Sequence, residues 1–163
     1  MAPGKRGANR TGRPFTGDGA GKILFKTLLK NQFAEGNYEE NAHDNLKLIN
    51  CRISNTVKCV PPKNRPLSSE FNNCRNYLIN EIKEMKKLKL ILALGYDAFK
   101  AIIKIFNKKL IDYKFCHHKI YNLNEDFSLI TSFHCSRYNI NTKRLSEDAF
   151  DKVFKNIHKI INN

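Results

Sequence analysis

The chain lacks any run of about 18 apolar residues, so the sequence indicates no membrane-spanning helix. Its first residues also lack the charged-then-apolar pattern of a signal peptide. We therefore expect a cytoplasmic protein. In that reducing compartment, five cysteines in one chain are better explained as metal ligands than as disulfides. The 163 residues suit one domain, and a hydrophobic fraction of 41% is enough for a core.

Acidic residues are scarce: 15 Asp and Glu stand against 29 Lys and Arg, which gives a net charge of +14. A strongly basic surface attracts polyanions, and nucleic acid is the first candidate. The abundance of Lys, Asn and Ile is also what an A/T-rich genome produces without selection for binding. The charge therefore permits a nucleic-acid partner but does not establish one.

Glycine is rare after residue 21, because six of the eight glycines lie within residues 1–21. A glycine-rich loop lets backbone N–H groups approach a ligand closely, although a basic terminal stretch is often a disordered tail. Phe15, between a proline and a threonine, argues against a pure tail. The stretch from Gly17 to Lys22 is not a phosphate loop. Only three residues separate its glycines, and Ile23 follows the lysine in place of Ser or Thr.

The rest of the chain alternates between helical and strand patterns. The predicted elements, in order, are a helix over 20–33, a solvated loop over 34–45, a strand over 51–57, a helix after Pro66 capped by Ser68 or Ser69, a strand over 88–94 buried on both faces, a helix over 96–106, a strand over 127–133, and a helix capped by Ser146. This alternation predicts a three-layer α/β/α sandwich with a small, mostly parallel central sheet.

Polar residues follow two of the predicted strands. The stretch from Asn55 to Lys58 and the single His134 both lie at strand carboxyl ends, where α/β sheets bind ligands. Domains of this class normally begin with a strand that leads into the glycine loop, whereas residue 1 already lies in the loop. We therefore expect residues 1–163 to be a single domain without its N-terminal segment and first strand. A gap or unpaired edge should then lie beside residues 88–94.

Three motifs in this order resemble those of the iron–sulfur uracil-DNA glycosylases. The first comprises Ala2-Pro3-Gly4 and the run from Gly12 to Asp18; the second comprises residues 55–59 with Pro61-Pro62 and Cys74; the third runs from Ser132 through His134 to Asn139 and ends at Arg144-Leu145. The similarity extends over essentially the whole chain and is best with the type B branch, also called family five. It implies an enzyme that flips uracil, and hypoxanthine as a second base, out of DNA and hydrolyses the N-glycosidic bond.

The resemblance also implies roles for residues in the base pocket. Ala2 and Gly4 would line it, and Phe15 would stack on the base. Asn55 would pair with O4 and N3–H of uracil, and His134 would donate to O2 as negative charge develops. Without the resemblance, these would be a core Phe, an Asn that bonds its own loop and a hydrogen-bonded strand-end His.

The remaining inferred roles concern water, DNA and metal. Asp18 would position or activate the attacking water, with a helix N-cap as the alternative. Four residues of one loop would contact DNA: Arg137, Tyr138, Asn139 and Arg144. The alternative is a solvated loop without a DNA contact. Cys59 and Cys74 would be two of four ligands of a 4Fe-4S cluster, the other two lying upstream of Met1. The alternative function is a catalytically impaired nucleic-acid-binding module of the same fold. Either protein is expected to be a monomer without membrane attachment.

Overall fold

The structure, a computed structural model, describes residues 1–17 and 19–162. The helices within these residues are α1 (Ala8–Thr11), α2 (Gly19–Lys30), α3 (Ser68–Glu84), α4 (Tyr96–Ile105), α5 (Arg137–Asn141) and α6 (Glu147–Asn162). The strands are β1 (Ala34–Glu35), β2 (Lys47–Leu48), β3 (Leu90–Leu94), β4 (Lys119–Asn122) and β5 (Ser128–Ser132). None of the described helices is long and apolar enough to cross a membrane.

The central sheet has the strand order β3-β5-β4, and β1 pairs with β2 in a separate antiparallel ribbon. β3 and β5 run parallel, from Leu90 opposite Ser128 to Leu94 opposite Ser132. β4 runs antiparallel to β5, so the sheet is mixed rather than mostly parallel. The reason is the short connection of residues 123–127, since two strands joined by a tight turn can pair only in the antiparallel direction.

Two hydrophobic cores lie on opposite faces of the sheet. Leu129 and Ile130 are neighbours on β5 and therefore point to opposite faces. Ile130 belongs to the core formed with α2 and α6, which includes Phe154, whereas Leu129 belongs to the core formed with α3 and α4, which includes Ile103. The predicted three-layer α/β/α sandwich is thus confirmed.

The ends of two helices test the capping predictions. The Ser146 hydroxyl accepts a hydrogen bond from the Ala149 N–H at 3.1 Å, as expected for the cap of α6. The prediction for α3 was wrong, because Leu67 occupies the cap position ahead of Ser68. The Glu70 carboxylate accepts from the Leu67 N–H at 2.6 Å, and this bond occupies the donor just outside the helix.

Two other predictions need correction. Residues 51–57 form no strand ladder with any described residue, although the Val57 N–H donates to the Met1 carbonyl at 3.0 Å. A cavity of about 800 Å³ separates residues 50–54 from β3. The outer edge of β3 therefore pairs with no described strand. β3 is an edge strand and not the central strand that was predicted, and its unpaired edge agrees with the gap expected beside residues 88–94. The loop of residues 34–45 is not simply solvated, because the Asp44 side chain is 0% exposed.

Candidate functional site

A cavity of about 1460 Å³ opens at the carboxyl ends of β3 and β5. Its lining comes from four parts of the chain: residues 1–8 with Phe15, Asn55 with Asn64, residues 94–98, and Phe115, Phe133, His134, Asn139 and Arg144. The structure therefore brings the glycine loop together with the polar residues at the predicted strand ends. This is the edge of the sheet at which α/β proteins bind ligands.

Phe15 and His134 face each other in this cavity. Their ring centroids are 5.5 Å apart, and the ring planes are inclined by 20°. The backbone at Phe15 has a φ of 59°, a conformation that a bulky residue adopts only where its surroundings impose it. Gly21 is part of that surrounding structure, because a Cβ at this position would lie 1.8 Å from the Phe15 carbonyl oxygen.

His134 is held through its own backbone and its neighbours. The Asn139 side chain donates to the His134 carbonyl at 2.8 Å. Immediately before it, the Phe133 N–H donates to Nδ1 of His117 at 3.4 Å, and the His117 ring stacks on the Phe133 ring with centroids 5.5 Å apart. Burial lowers the pKa of His117, which favours the neutral ring that this acceptor role requires.

Asn55 reaches the cavity from a segment that is tied to the glycine loop. The Met1 carbonyl accepts from the Thr56 hydroxyl at 2.8 Å and from the Val57 N–H at 3.0 Å. Within the loop, the Gly4 carbonyl accepts two backbone N–H groups, those of Gly7 and Asn9, at 3.1 and 3.2 Å. These bonds bring Ala2, Gly4 and Asn55 to one wall of the cavity.

The residues expected to contact DNA divide into two groups. Asn139 and Arg144 line the cavity, and the Arg144 guanidinium lies 4.7 Å from the centroid of the Phe133 ring. Arg137 and Tyr138 lie outside the lining, at the start of α5, and the Tyr138 side chain is 71% exposed. An exposed aromatic residue beside an exposed arginine is a common arrangement for nucleic-acid contact.

The described residues do not test two of the predicted roles, that of Asp18 in positioning water and that of Cys59 and Cys74 as cluster ligands. Asp18 lies outside the part of the chain that the structure describes. Cys59 is exposed and Cys74 is buried, with the Lys58 N–H donating to the Cys74 sulfur at 3.3 Å. The described residues contain no group of three or more His, Cys, Asp or Glu side chains that could hold a metal. Two thiols alone do not make up the four thiolates that a four-iron cluster needs as a rule.

The sequence analysis missed several residues around the cavity. Tyr96 and Asp97 line it directly after β3, and Asp97 is the acidic residue among the described lining. Their position beyond a strand carboxyl end was a signal that could have identified them. His117 contacts the cavity residue Phe133, and the buried Asp44 pairs with Arg13, each from a distance along the chain. No motif or spacing in the sequence identifies those two contacts.

Comparison with known proteins gives a consistent family. The model of the uracil DNA glycosylase superfamily matches residues 1–158. The chain is 35% identical to a Type-5 uracil-DNA glycosylase of Thermus thermophilus, over 94% of this chain and 69% of the relative. It is 34% identical to a Type-5 uracil-DNA glycosylase of Pyrobaculum aerophilum, over 95% of this chain and 67% of the relative. A Type-4 uracil-DNA glycosylase of the same organism is 33% identical over 66% of this chain and 47% of the relative.

Proposed function

Because this chain belongs to the uracil DNA glycosylase superfamily, we propose that it removes uracil from DNA by hydrolysing the N-glycosidic bond. The observation that carries the proposal is the grouping of Phe15, Asn55 and His134 around one cavity beside the glycine loop. A target base would leave the duplex and enter this cavity, at a cost of a few kcal/mol that contacts in the pocket must offset.

Base recognition is assigned to Phe15 and Asn55. A base lying on the Phe15 ring would gain a stacking free energy of roughly 1–3 kcal/mol, whatever its identity. The Asn55 amide would then select uracil, because its N–H₂ group can donate to O4 while its oxygen accepts from N3–H. Cytosine would present an amino group to that N–H₂ group, and the unpaired donors would be costly to bury.

Bond cleavage is assigned to His134 and water. A water oxygen attacks C1′ of the deoxyribose, the C1′–N1 bond breaks, and its electron pair leaves with the uracil ring. His134 would donate a hydrogen bond to O2, where part of this charge accumulates. The proton lost by the water would pass to a carboxylate, for which Asp18 remains our proposal. That proton then passes through solvent to the departing uracil anion. The products are free uracil and an abasic site, so the reaction balances without a cofactor.

The proposal also covers the residues that contact DNA and the bases that are removed. Arg137 and Tyr138 would contact the duplex beside the cavity, while Arg144 would meet a phosphate near its mouth. Hypoxanthine would be a second substrate, and the active form would be a cytoplasmic monomer. Activity on oligonucleotides with uracil or hypoxanthine measures the base preference, and light scattering with and without DNA measures the mass.

Cys59 and Cys74 would bind a 4Fe-4S cluster only together with two further thiolates. No step of the reaction proposed above passes through that cluster. Iron and acid-labile sulfide, measured after anaerobic reconstitution of the wild type and of Cys74→Ser, test the assignment. Equal iron content in the two proteins would contradict it.

The experiment that tests the main proposal compares Asn55→Ala and His134→Ala with the wild type in single-turnover excision of uracil from an oligonucleotide. We expect the His134 variant to lose about 10²–10³-fold in rate, the usual cost of losing one charge-stabilising donor. The Asn55 variant should lose about 10–100-fold, since one buried hydrogen-bonding partner is worth about 1–3 kcal/mol.

Asn72→Ala is the matched control for the asparagine, because its side chain is exposed and does not line the cavity. It should keep the wild-type rate, and all three variants should keep the wild-type circular dichroism. If the wild type bound uracil-containing DNA without cleaving it, the alternative of a catalytically impaired binding module would replace the glycosylase proposal. Normal rates in both cavity variants would contradict the assigned roles.

A further inference from the structure

We propose that Arg13 and Asp44 are positioning residues that fix the Phe15 ring in the base cavity, an inference that rests on the proposed function. Neither residue lines the cavity. Arg13 bonds the side chain of Thr16, the residue after Phe15, and its pair with Asp44 joins the glycine loop to the loop of residues 37–46. We call the latter segment the clamp loop.

Asp44 is the centre of the clamp loop. Its carboxylate binds the Arg13 guanidinium through two hydrogen bonds of 2.7 and 2.8 Å. It also accepts the backbone N–H of Glu39 at 3.0 Å and that of Leu46 at 3.1 Å. Each carboxylate oxygen therefore accepts two hydrogen bonds, and the side chain is fully buried. Its hydrogen bonds with Arg13 are the main reason why the pKa of Asp44 lies well below its usual range.

Arg13 connects Asp44 to Thr16, the residue after Phe15. Its Nε donates to the hydroxyl of Thr16 at 2.7 Å, and Thr16 is completely buried. A terminal nitrogen of Arg13 donates to the Asn41 carbonyl at 2.6 Å. The guanidinium also lies over two aromatic rings, 5.2 Å from the Phe25 centroid and 5.5 Å from the Tyr38 centroid. Arg13 is thus held on several sides.

The clamp loop also contacts Phe15 itself. The Tyr38 hydroxyl donates to the Phe15 carbonyl at 3.2 Å, so bonds from the clamp loop and from Arg13 fix both Phe15 and Thr16. The positive φ of Phe15 costs free energy and persists only where surrounding contacts impose it. Because the backbone sets the direction of the ring, loss of these contacts should release the Phe15 ring from its stack with His134.

The test is a double-mutant cycle between Asp44 and Phe15. Asp44→Asn keeps the size of the side chain but removes the charge that offsets the buried Arg13. We expect it to lower the single-turnover rate constant for uracil excision about tenfold, because small misplacements of a binding group are costly in rate. In the Phe15→Leu background the same substitution should change the rate less than about twofold, since the ring through which Asp44 acts is absent.

Tyr38→Phe provides a milder variant that removes one hydroxyl and leaves the Arg13–Asp44 pair intact. It should lower the rate in the wild-type background and not in the Phe15→Leu background. Asp151→Asn is the matched control, because Asp151 is another buried carboxylate with several donors, none of them in contact with Phe15. It should lower the free energy of unfolding and leave the excision rate unchanged.

A second measurement does not depend on activity. Stacking on Phe15 shifts the ring-proton resonances of His134, so Asp44→Asn and Tyr38→Phe should move these resonances, whereas Asp151→Asn should not. If the wild type cleaved no uracil but the resonances moved as expected, the proposed function would fail and the positioning role would stand. If the wild type were active and Asp44→Asn slowed excision equally in both backgrounds, or left the His134 resonances in place, the positioning role would be wrong.

Discussion

At the scale of single residues, Asp151 on α6 is a buried carboxylate that three donors surround. Asn31 and Lys30 of α2 donate to it at 2.8 and 2.9 Å, and Lys155 lies at 3.1 Å. The hydrogen bond from Asn31, followed by that from Lys30, lowers the pKa of Asp151 from 3.8 to about 2. A carboxyl group whose pKa is lower in the folded state than in the unfolded state stabilises the fold at neutral pH.

The expected effect of Asp151 on stability follows from this shift. Its contribution should be about 2 kcal/mol at pH 7, present in full above the unfolded-state pKa and lost as the pH falls from about 4 to about 2. Asp151→Asn should therefore lower the free energy of unfolding at pH 7 and weaken its decrease over that acid range. Urea unfolding at several pH values measures both effects. The exposed Asp148 of the same helix is the control, and an Asp148→Asn profile that matched that of Asp151→Asn would contradict the assignment.

At the scale of secondary-structure elements, α5 is a short helix whose start depends on one side chain. The Ser136 hydroxyl accepts the Asn139 N–H at 3.3 Å, and Asn139 in turn donates to the His134 carbonyl. The same helix carries Arg137 and Tyr138, which we assign to DNA contact. The cap therefore links the order of the DNA-contacting helix to the position of His134.

Ser136→Ala should lower the free energy of unfolding by about 1 kcal/mol, the usual effect of losing an N-cap. It should also weaken DNA binding, because a frayed α5 must be ordered again on binding. Ser146→Ala removes the equivalent cap of α6, a helix that carries none of the proposed DNA contacts, and should lower stability by a similar amount without weakening binding. Thermal unfolding and fluorescence anisotropy with a labelled oligonucleotide make the comparison. Equal loss of affinity in the two variants would refute the link.

The elements that the sequence predicted well are those with a strong local pattern. The periodicity of α2 and α4 and the apolar run of β3 placed these elements to within three residues at each end, and the cap at Ser146 placed the start of α6. The strand predicted over 51–57 was wrong, because a strand exists only through backbone hydrogen bonds to a neighbour. Among the described residues the only such bond to this segment joins Val57 to Met1. β4 went unpredicted because four residues with exposed polar ends carry little periodic signal.

The cavity could be anticipated only in part. The rule that ligands bind beyond strand carboxyl ends brought Asn55 and His134 to one crevice, although the segment before Asn55 is not a strand. The pairing of Asp44 with Arg13 could not be anticipated, since Asp44 lies 31 positions after Arg13 and its burial depends on a contact that only the fold creates. Long-range ion pairs carry no local sequence signal.

At the scale of the whole molecule, the net charge of +14 is the property most relevant to DNA. Lys5, Arg6 and Arg144 line the cavity, and Asp97 is the single acidic residue among the described lining, so the mouth of the cavity is basic. Arg137 extends this charge at the start of α5. A nucleic-acid-binding protein releases counterions from the phosphates that its basic side chains neutralise.

Affinity for DNA should therefore fall linearly with salt on logarithmic axes, with a slope of about −0.9 for each phosphate neutralised. Arg137→Ala should reduce the size of that slope by about one contact if the side chain meets a phosphate. Lys104→Ala is the charge-matched control, because Lys104 lies in the last turn of α4, at the end opposite the cavity, and should leave the slope unchanged. Anisotropy titrations at several salt concentrations give the three slopes. A wild-type affinity that did not depend on salt would mean that the basic composition reflects the composition of the genome and not a DNA partner. Equal slopes for the two variants would show that Arg137 does not contact DNA.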